Sequence, residues 1–441
     1  MTAPLYEALR RHQALQRASF HTPGHKSAPG ALPKELFSLD YTELPDTDSL
    51  FEASGAILEA ERAAARLFRV ERTCISSGGC TLCIQAMLRL AAPTGGTVIA
   101  GRVLHRSAVN AMALLGIRPI WVTPSRDAGP DLPGRITAAE VGRALREHPD
   151  AKAVYLTSPD YYGVLCDIPG IAGLCREYGV PLLVDNAHGA HLKFLPQDMH
   201  PASLGASITA CSAHKTLPVL TGGAYLHISR AAPASLRESA KTAMAMFGST
   251  SPSYLTLASL DLCNRYLADG YRDRLREMCG RLEEARKALT AAGWQVEPSD
   301  PLRLTVKAPA GMTGGQLANR LRESGVECEY ADLDFLVLML TPENRAADIE
   351  RLLHAFGTND AAYAPQPTLP LARGERVCSV REALLAPRET IPAAQSLGRV
   401  CGAPTVGCPP AIPIAVSGEQ IGPEALELFR RYGVEQVEVL R

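Results

Sequence analysis

The sequence predicts an α/β fold whose core is a largely parallel β-sheet. From about residue 55 to residue 230, segments with helical periodicity alternate with short apolar runs. The helical segments are GAILEAERAAARLF, LCIQAMLRLAA and AVNAMALLG, and the apolar runs are TVIAG, PIWVT, AVYLTS, PLLVD, ITACS and GAYLHIS. Strands separated by helices are typical of a parallel sheet covered on both faces. Ligands bind such sheets beyond the carboxyl ends of the strands, so the residues after each run are the first candidates for a site.

The chain length of 441 residues predicts a large domain with smaller ones, because a single small core cannot include so long a chain. We predict a long amphipathic helix over 259–290, and a strand, helix, strand, helix pattern over 302–357. Residues 358–370 contain three prolines and are typical of a linker. The predicted divisions are an N-terminal segment (1–50), a large domain (51–258), the long helix with a small α+β domain (259–357), and the linker with a C-terminal module (358–441).

The overall charge argues against nucleic-acid or membrane partners. Lys and Arg total 45 against 46 Asp and Glu, a net charge of -1, so no sustained positive field results. Leu5, Ala8 and Leu9 predict an amphipathic first helix, which we weigh above the alternative of an organelle transit peptide. No segment holds the roughly 18 consecutive apolar residues of a membrane span. The sequence therefore predicts a cytoplasmic protein with a small-molecule partner.

The twelve cysteines are scattered from Cys74 to Cys408 in apolar contexts. We expect them to be reduced and mostly buried. Cys80 and Cys83 form a lone CxxC pair. Since no second pair and no nearby CxxH completes a zinc site, no metal is predicted.

Lys215 is the most conspicuous lysine. The chain has eight lysines against 37 arginines, and Lys215 lies between the predicted strands ITACS and GAYLHIS. A lysine that forms a Schiff base needs a partly desolvated position, because its amine must be neutral to attack an aldehyde. The neighbouring Ser212 and His214 can donate hydrogen bonds to a phosphate. The alternative for Lys215 is a solvated loop lysine.

Asp185 ends the apolar run PLLVD. A carboxylate at the end of a buried strand needs a partner, because an isolated buried charge is costly. One such partner is the protonated ring nitrogen of pyridoxal phosphate, which the carboxylate keeps charged so that the ring withdraws electrons. Asp185 precedes Lys215 by one strand unit, as a shared site requires. The alternatives are a helix N-cap and a metal carboxylate acting with His188.

Two further motifs fit the same site. The string SSGGCTLCIQAML places Gly79, Cys80 and Thr81 at the start of a helix, where backbone N–H groups and the helix dipole can hold a phosphate. Such residues are also ordinary N-caps. His105 follows the strand TVIAG and can stack on a flat ring, although a histidine there is also compatible with a structural role.

Together these motifs resemble the Orn/Lys/Arg decarboxylases, the bacterial major group of pyridoxal-phosphate enzymes with the fold of aspartate aminotransferase. The resemblance covers nearly the whole chain and implies a fold type I large domain with a mostly parallel seven-stranded sheet, a small α+β domain and a C-terminal module. The strings that carry it are FHTPGHK (20–26), TELPDTDSL (42–50), HRS (105–107), TSPDYYGVLCDI (157–168), DNAHGAH (185–191), SAHKTL (212–217), TSPSY (250–254) and CPPAIPIAVSGEQI (408–421).

The resemblance implies a role for each site residue. Lys215 would hold pyridoxal 5'-phosphate covalently and Asp185 would pair with the ring nitrogen. His105 and Ala187 would lie against opposite faces of the ring, with His188 near the ring oxygen. The resemblance also implies a homodimer or higher homo-oligomer in which the neighbouring subunit reaches the phosphate. The implied phosphate-binding residues are Gly79, Cys80, Thr81, Ser212 and His214, with Thr250 or Ser251 from the neighbouring subunit.

The implied reaction is the decarboxylation of a basic L-amino acid, namely arginine, lysine or ornithine, to its amine. A basic substrate side chain needs acidic partners, for which Glu43, Asp46 and Asp48 are predicted, although each also fits a solvated surface carboxylate. Two alternatives remain open, an aminotransferase or carbon–sulfur lyase on the same fold, and a non-catalytic paralogue. The sequence departs from the family at Asn186, where Glu is usual, at Gly79-Cys80, where a Ser-Thr type loop is usual, and at CPPAIP, where YPPGIP is usual.

Overall fold

The computed structural model describes residues 1–15, 23, 38–124, 135–363, 374–405 and 413–441. The main strands are β1 Arg72–Ser76, β2 Gly96–Gly101, β3 Ile117–Val122, β4 Ala153–Thr157, β5 Leu182–Asp185, β6 Ile208–Cys211 and β7 Ala224–Ile228. They form one seven-stranded sheet in the order β1-β7-β6-β5-β4-β2-β3. Strand β7 runs antiparallel to β1 and β6, whereas β2 is parallel to β3 and β4, and β5 is parallel to β6.

This sheet confirms the predicted fold class. Six of its strands coincide with the apolar runs of the sequence. Strand β1 was not among those runs, because its sequence RTCIS is short and half polar.

The helices are interspersed with these strands along the chain. In chain order they are α1 Pro4–Ala14, α2 Ala56–Phe68, α3 Gly79–Ala91, α4 Arg106–Leu115, α5 Ala138–Glu147, α6 Ile168–Glu177, α7 Ala213–Thr216, α8 Ala234–Glu238, α9 Ala240–Ala245, α10 Tyr254–Ala268, α11 Tyr271–Ala291, α12 Gly314–Glu323, α13 Ala346–Phe356, α14 Val380–Leu385 and α15 Pro423–Arg431. Within the described part of the chain, none of these helices has the length and apolarity needed to cross a lipid bilayer.

The chain divides into two compact units, and the first comprises Met1–Ala91 and Pro181–Asp273. Its helix α3 packs against β5, β6 and β7. The predicted amphipathic first helix is confirmed, since Leu5, Ala8 and Leu9 of α1 are buried, and α1 packs against α2 and α10. The buried carboxylate of Asp261 accepts the first N–H groups of α1, at 2.8 Å from Leu5 and 3.0 Å from Tyr6. This cap satisfies amides that a helix start leaves without partners.

The second unit comprises Ala92–Val180 and Arg274–Arg441. The strand, helix, strand, helix pattern predicted over 302–357 is confirmed, and two short strands add to it. The resulting four-stranded sheet has the order β10-β11-β9-β8, and a separate antiparallel pair, β12 and β13, lies near the C-terminus. These strands are β8 Val296–Glu297, β9 Arg303–Lys307, β10 Tyr330–Ala331, β11 Phe335–Met339, β12 Arg388–Pro392 and β13 Gln436–Leu440. Of the predicted linker, residues 364–370 lie outside the described residues.

The single helix predicted over 259–290 is wrong. The structure has two helices there, α10 and α11, separated at Asp269 and Gly270. Gly270 adopts a φ of 65°, a left-handed conformation that glycine reaches without the steric penalty of a side chain. Helical periodicity continues on both sides of this turn, so periodicity alone does not reveal the break.

Candidate active site

The site begins where two neighbouring parallel strands end. Asp185 is the last residue of β5 and pairs in register with Ala210 of β6. Strand β6 ends at Cys211, and Lys215 follows in the one-turn helix α7. Because parallel strands end at the same edge of a sheet, Asp185 and the segment that carries Lys215 share one edge.

Lys215 contacts His188. The Nζ atom of Lys215 lies 2.8 Å from Nε2 of His188. His188 is buried, and Lys215 is half-buried. When Lys215 is charged, its ammonium group donates a hydrogen bond to His188, because an ammonium group can only donate. The sequence had indicated only that His188 lies near a ring oxygen, and the pair with Lys215 was not foreseen.

Asp185 is buried, with 2% of its surface exposed. Its Oδ1 atom accepts the N–H of Ala187 at 3.1 Å and lies 3.9 Å from Sγ of Cys80. Burial, and then the charge of Asp185, raises the pKa of the Cys80 thiol well above its ordinary value, while the charge of Lys215 acts in the opposite direction. Cys80 is therefore a neutral thiol within electrostatic reach of both Asp185 and Lys215.

Open space lies beside the start of α3, where the sequence predicts a phosphate-binding loop. Gly79 has a φ of 68°, and a Cβ atom at this position would meet nothing within 4 Å, so there is open space beside the helix start. The N–H of Gly79 donates to the carbonyl of Gly222 at 2.8 Å. Cys80 and Thr81 follow Gly79 in the first turn of α3, and Thr81 is exposed.

Ser212 and His214 follow directly after β6 in the sequence. Ser212 is buried and is the N-cap residue of α7. Nδ1 of His214 lies 3.2 Å from the carbonyl oxygen of Gly223. Since a carbonyl oxygen only accepts, His214 carries a proton on Nδ1, which fixes the orientation of its ring.

Two of the family strings meet within this one chain. The hydroxyl of Tyr254 donates to the backbone carbonyl of Asp48. This contact joins the TSPSY string to the TELPDTDSL string. Thr250 and Ser251, which begin the TSPSY string, are exposed.

The three acidic residues predicted for the substrate each have contacts within the chain. Oε1 of Glu43 accepts from the hydroxyl of Ser49 at 2.9 Å and from the N–H of Leu50 at 3.2 Å. Oδ2 of Asp46 lies 2.8 Å from Nδ1 of His12. Asp48 accepts hydrogen bonds from five backbone N–H groups before and at the start of α2. These are the N–H groups of Ser49 (2.9 Å), Ser54 (3.0 Å), Gly55 (2.9 Å), Ile57 (2.9 Å) and Leu58 (3.4 Å).

These hydrogen bonds set the charge state of Asp48. Partial burial raises the pKa of this carboxyl, but the backbone N–H donors outweigh burial and hold the pKa below its ordinary value. Asp48 is therefore an ionised helix cap.

His105 belongs to the second unit. It follows β2 and is the N-cap of α4, where its Nδ1 accepts the N–H of Ser107 at 3.2 Å and lies 2.8 Å from the Ser107 hydroxyl. In the same unit, the buried Arg102 forms an ion pair of 2.8 Å with Glu419. Glu419 belongs to the string CPPAIPIAVSGEQI, whose residues 408–412 lie outside the described residues, as does FHTPGHK apart from Pro23.

The family model for the Orn/Lys/Arg decarboxylase major domain matches residues 3–309. The chain belongs to the Orn/Lys/Arg decarboxylase family. Among its relatives, an arginine decarboxylase of Bacillus subtilis is 31% identical over 96% of this chain and 91% of its own length. "Uncharacterized protein YaaO" of the same organism is 30% identical over 98% of this chain and 94% of its own length. The resemblance that the motifs indicated is confirmed.

The solved structures agree with this assignment at the level of the fold. The lysine decarboxylase LdcF of Francisella novicida superposes with a TM-score of 0.86 and 17% sequence identity, covering 100% of this chain and 81% of that chain. A serine palmitoyltransferase of Sphingomonas wittichii superposes with a TM-score of 0.57 and 16% sequence identity, over 70% of this chain and 78% of that chain. The large sheet therefore belongs to fold type I.

Proposed function

We propose that this member of the family is a pyridoxal-phosphate enzyme that removes CO2 from a basic L-amino acid, namely arginine, lysine or ornithine. The observation that carries the proposal is the buried carboxylate of Asp185 at the same strand edge as the Lys215–His188 pair. Arginine is the first substrate to test, because the relatives that match nearly the whole chain include arginine decarboxylases.

The residues at the strand edge fit pyridoxal phosphate. A buried carboxylate suits a protonated ring nitrogen, a half-buried lysine suits an aldehyde, and the open space beside Gly79 at the start of α3 suits a phosphate. When bound, this cofactor supplies an electron sink for the bond that breaks at the substrate α-carbon. Asp185 would keep the ring nitrogen protonated, and the amides of Cys80 and Thr81 with Ser212 and His214 would hold the phosphate.

Lys215 and His188 would carry out the proton transfers of the reaction. At 2.8 Å, their nitrogens can pass a proton directly, so His188 can take a proton from the Lys215 ammonium and leave the amine neutral. The same pair can return a proton, so Lys215 would be the group that delivers it to the former α-carbon after CO2 leaves.

Glu43 is our preferred partner for the basic end of the substrate. Asp46 already contacts His12, and the carboxylate of Asp48 accepts hydrogen bonds from five backbone N–H groups. In contrast, both contacts of the exposed Glu43 use the same oxygen, Oε1. Glu43→Gln should raise the KM for arginine about tenfold, the size of one charged hydrogen bond. Asp46→Asn is the matched control and should leave KM within about twofold. Equal effects of the two substitutions would remove Glu43 from this role.

We further propose a homodimer or higher homo-oligomer in which Thr250 and Ser251, both exposed in the single chain, reach the phosphate of the neighbouring subunit. Mixing two inactive variants, Lys215→Ala and Thr250→Ala/Ser251→Ala, should restore part of the activity. Such complementation requires a site built from two chains. No recovery on mixing, with both variants shown to exchange subunits, would place the site within one chain.

The deciding experiment incubates the protein and added cofactor separately with arginine, lysine, ornithine and a sulfur amino acid, and measures CO2, amine, keto acid and sulfide as products. The proposal requires CO2 and the matching amine in equal amounts, with Lys215→Ala inactive. A keto acid without CO2 would support an aminotransferase, and pyruvate or sulfide from a sulfur amino acid a carbon–sulfur lyase. No product from any substrate, in protein shown to hold the cofactor, would support the non-catalytic paralogue, which the unusual Cys80 in the phosphate loop also favours.

A further inference from the structure

Three buried side chains outside the proposed cofactor site form a compact cluster. They are His200, Cys211 and His227, and one donor atom from each lies within 4.8 Å of the other two. Nε2 of His200 lies 3.4 Å from Sγ of Cys211. No residue of this cluster was among those predicted for the site.

Strand pairing explains why two of the three meet. Cys211 of β6 pairs with Tyr225 of β7, and Thr209 of β6 pairs with His227 of β7. Because alternate residues of a strand point to the same face, Cys211 and His227 share one face of the sheet as diagonal neighbours. His200 comes from the segment between β5 and β6.

A polar atom of this cluster lacks a partner. Nδ1 of His227 lies 2.9 Å from the hydroxyl of Thr73, so Nε2 is the atom that remains. Across the described part of the chain, neither Nε2 of His227 nor the hydroxyl of its register partner Thr209 has a hydrogen-bond partner, and both residues are fully buried. Buried polar atoms are nearly always satisfied, so two such atoms on residues that pair in register favour a ligand at this position.

We propose that His200, Cys211 and His227 bind one divalent transition-metal ion of the zinc class. Two imidazole nitrogens and one thiolate are donors that zinc accepts in a tetrahedral site. Zinc bonds of about 2.0 to 2.3 Å place neighbouring donors about 3.3 to 3.8 Å apart, a range that includes the observed 3.4 Å. A water molecule would complete the coordination, near the Thr209 hydroxyl.

The surroundings suit these ligands. Burial lowers the pKa of His200 to about 3 and that of His227 well below its ordinary value, so both imidazoles are neutral and no proton competes with the metal. The side-chain amide of Asn186 donates to Sγ of Cys211 at 3.2 Å, which would stabilise a thiolate. The nearby positive charge of Lys193 is offset by Asp198, at 2.7 Å.

Binding has a defined proton balance and one structural cost. Burial raises the pKa of Cys211 to about 12, so its thiol releases one proton to solvent when the sulfur–metal bond forms. In the metal-free protein, Nδ1 of His200 accepts the N–H of Ala202 at 3.3 Å, which leaves the ring proton on Nε2. Metal binding at Nε2 moves that proton to Nδ1 and gives up this long hydrogen bond.

A metal here would lie next to both strand ends of the proposed active site, because its ligand Cys211 ends β6 and accepts a hydrogen bond from Asn186, the residue after β5. Cys211 directly precedes Ser212, and Asn186 directly follows Asp185. The ion would act on stability, since its ligands are not among the residues assigned to the chemistry.

The test uses the full-length protein, purified without a metal-binding tag and dialysed against a chelator. Titration with Co2+ should saturate at one equivalent with a thiolate-to-cobalt charge-transfer band, Zn2+ should displace it, and Zn2+ should raise Tm by several degrees. Cys211→Ser and His227→Gln should lose the band and weaken binding at least tenfold. Cys263→Ser, which removes another buried thiol, is the control and should bind normally.

If Cys211→Ser does not fold, X-ray absorption of the wild-type zinc protein replaces it and should show one sulfur and two imidazole nitrogens around the metal. A wild-type protein that binds less than a tenth of an equivalent would overturn the proposal. So would a cobalt spectrum without sulfur character. Either result would mean that the cluster is a packed core whose polar atoms are satisfied by water.

Discussion

The edge of the large sheet and the acidic segment of residues 43–48 were both predicted to bind small molecules, and they differ in what their side chains contact. At the sheet edge, Cys80 lies near Asp185 and Lys215 contacts His188, and each pair joins different elements of the fold. In the acidic segment, Glu43 and Asp48 mainly accept hydrogen bonds from residues a few positions away, and Asp48 caps a helix. Side chains that converge from distant elements indicate a site. A carboxylate whose two oxygens both accept neighbouring amides, as in Asp48, indicates local structure. Glu43, whose two contacts both use Oε1, is the carboxylate of this segment that we assign to the substrate.

The largest expected effect is at Asp185. Asp185→Asn keeps the shape of the side chain but removes the charge that would hold the ring nitrogen protonated, so we expect kcat to fall about 100- to 1000-fold. Steady-state kinetics on the best substrate measures this, with the exposed Asp269→Asn as control. If kcat falls less than tenfold, Asp185 would not be essential to the chemistry, and the sheet edge would not differ in function from the acidic segment as its contacts indicate.

His188 should have the next largest effect. His188→Gln removes the imidazole 2.8 Å from Lys215, and we expect kcat to fall about 100-fold because proton transfer loses its partner. The acidic limb of the kcat–pH profile should move as well. His354→Gln, at an exposed position, should change neither quantity, and an unchanged profile in His188→Gln would assign His188 to packing alone.

For Asp48 the expected effect is on stability. Asp48→Ala removes the cap of α2 and should lower the free energy of unfolding by about 1 to 2 kcal/mol at pH 7, measured by urea denaturation. Asp48→Asn, which keeps one acceptor oxygen, should lose less. Since the folded pKa of Asp48 is lowered, its contribution is present above the ordinary carboxyl pKa and disappears as pH falls through the lowered value.

The difference between wild type and Asp48→Ala should therefore shrink in strong acid. If Asp48→Ala instead reduced kcat/KM for a basic substrate without changing stability, Asp48 as well as Glu43 would bind the substrate, and its role would not be that of a helix cap.

The smallest effect is expected at Asp46. Its contact with His12 is 2.8 Å, but the Asp46 side chain is 40% exposed, and such pairs contribute less than about 1 kcal/mol. Asp46→Asn should change the urea midpoint only slightly, and about 0.5 M salt should reduce the difference further. If Asp46→Asn lowered the free energy of unfolding by more than about 2 kcal/mol, well beyond the range of exposed pairs, the contact between Asp46 and His12 would be a main source of the segment's stability.

Sequence reasoning reached the sheet and the strand ends because apolar runs and short connections determine which residues follow a strand. Asp185 and Lys215 could be placed at one edge for that reason. The Lys215–His188 pair, the approach of Cys80 to Asp185 and the His200–Cys211–His227 cluster depend on side-chain directions and on pairing between strands, which periodicity does not reveal. The turn at Gly270 was missed because helical periodicity continues on both sides of it.

The central claim is that Lys215 carries the cofactor, and borohydride reduction tests it most directly. Protein mixed with pyridoxal phosphate is reduced, digested and analysed by mass spectrometry, with Lys215→Ala treated in parallel. The account predicts one stoichiometric pyridoxyl-phosphate adduct, on the peptide that contains Lys215, and none in the variant. An adduct on another of the eight lysines, or no adduct at all, would contradict it.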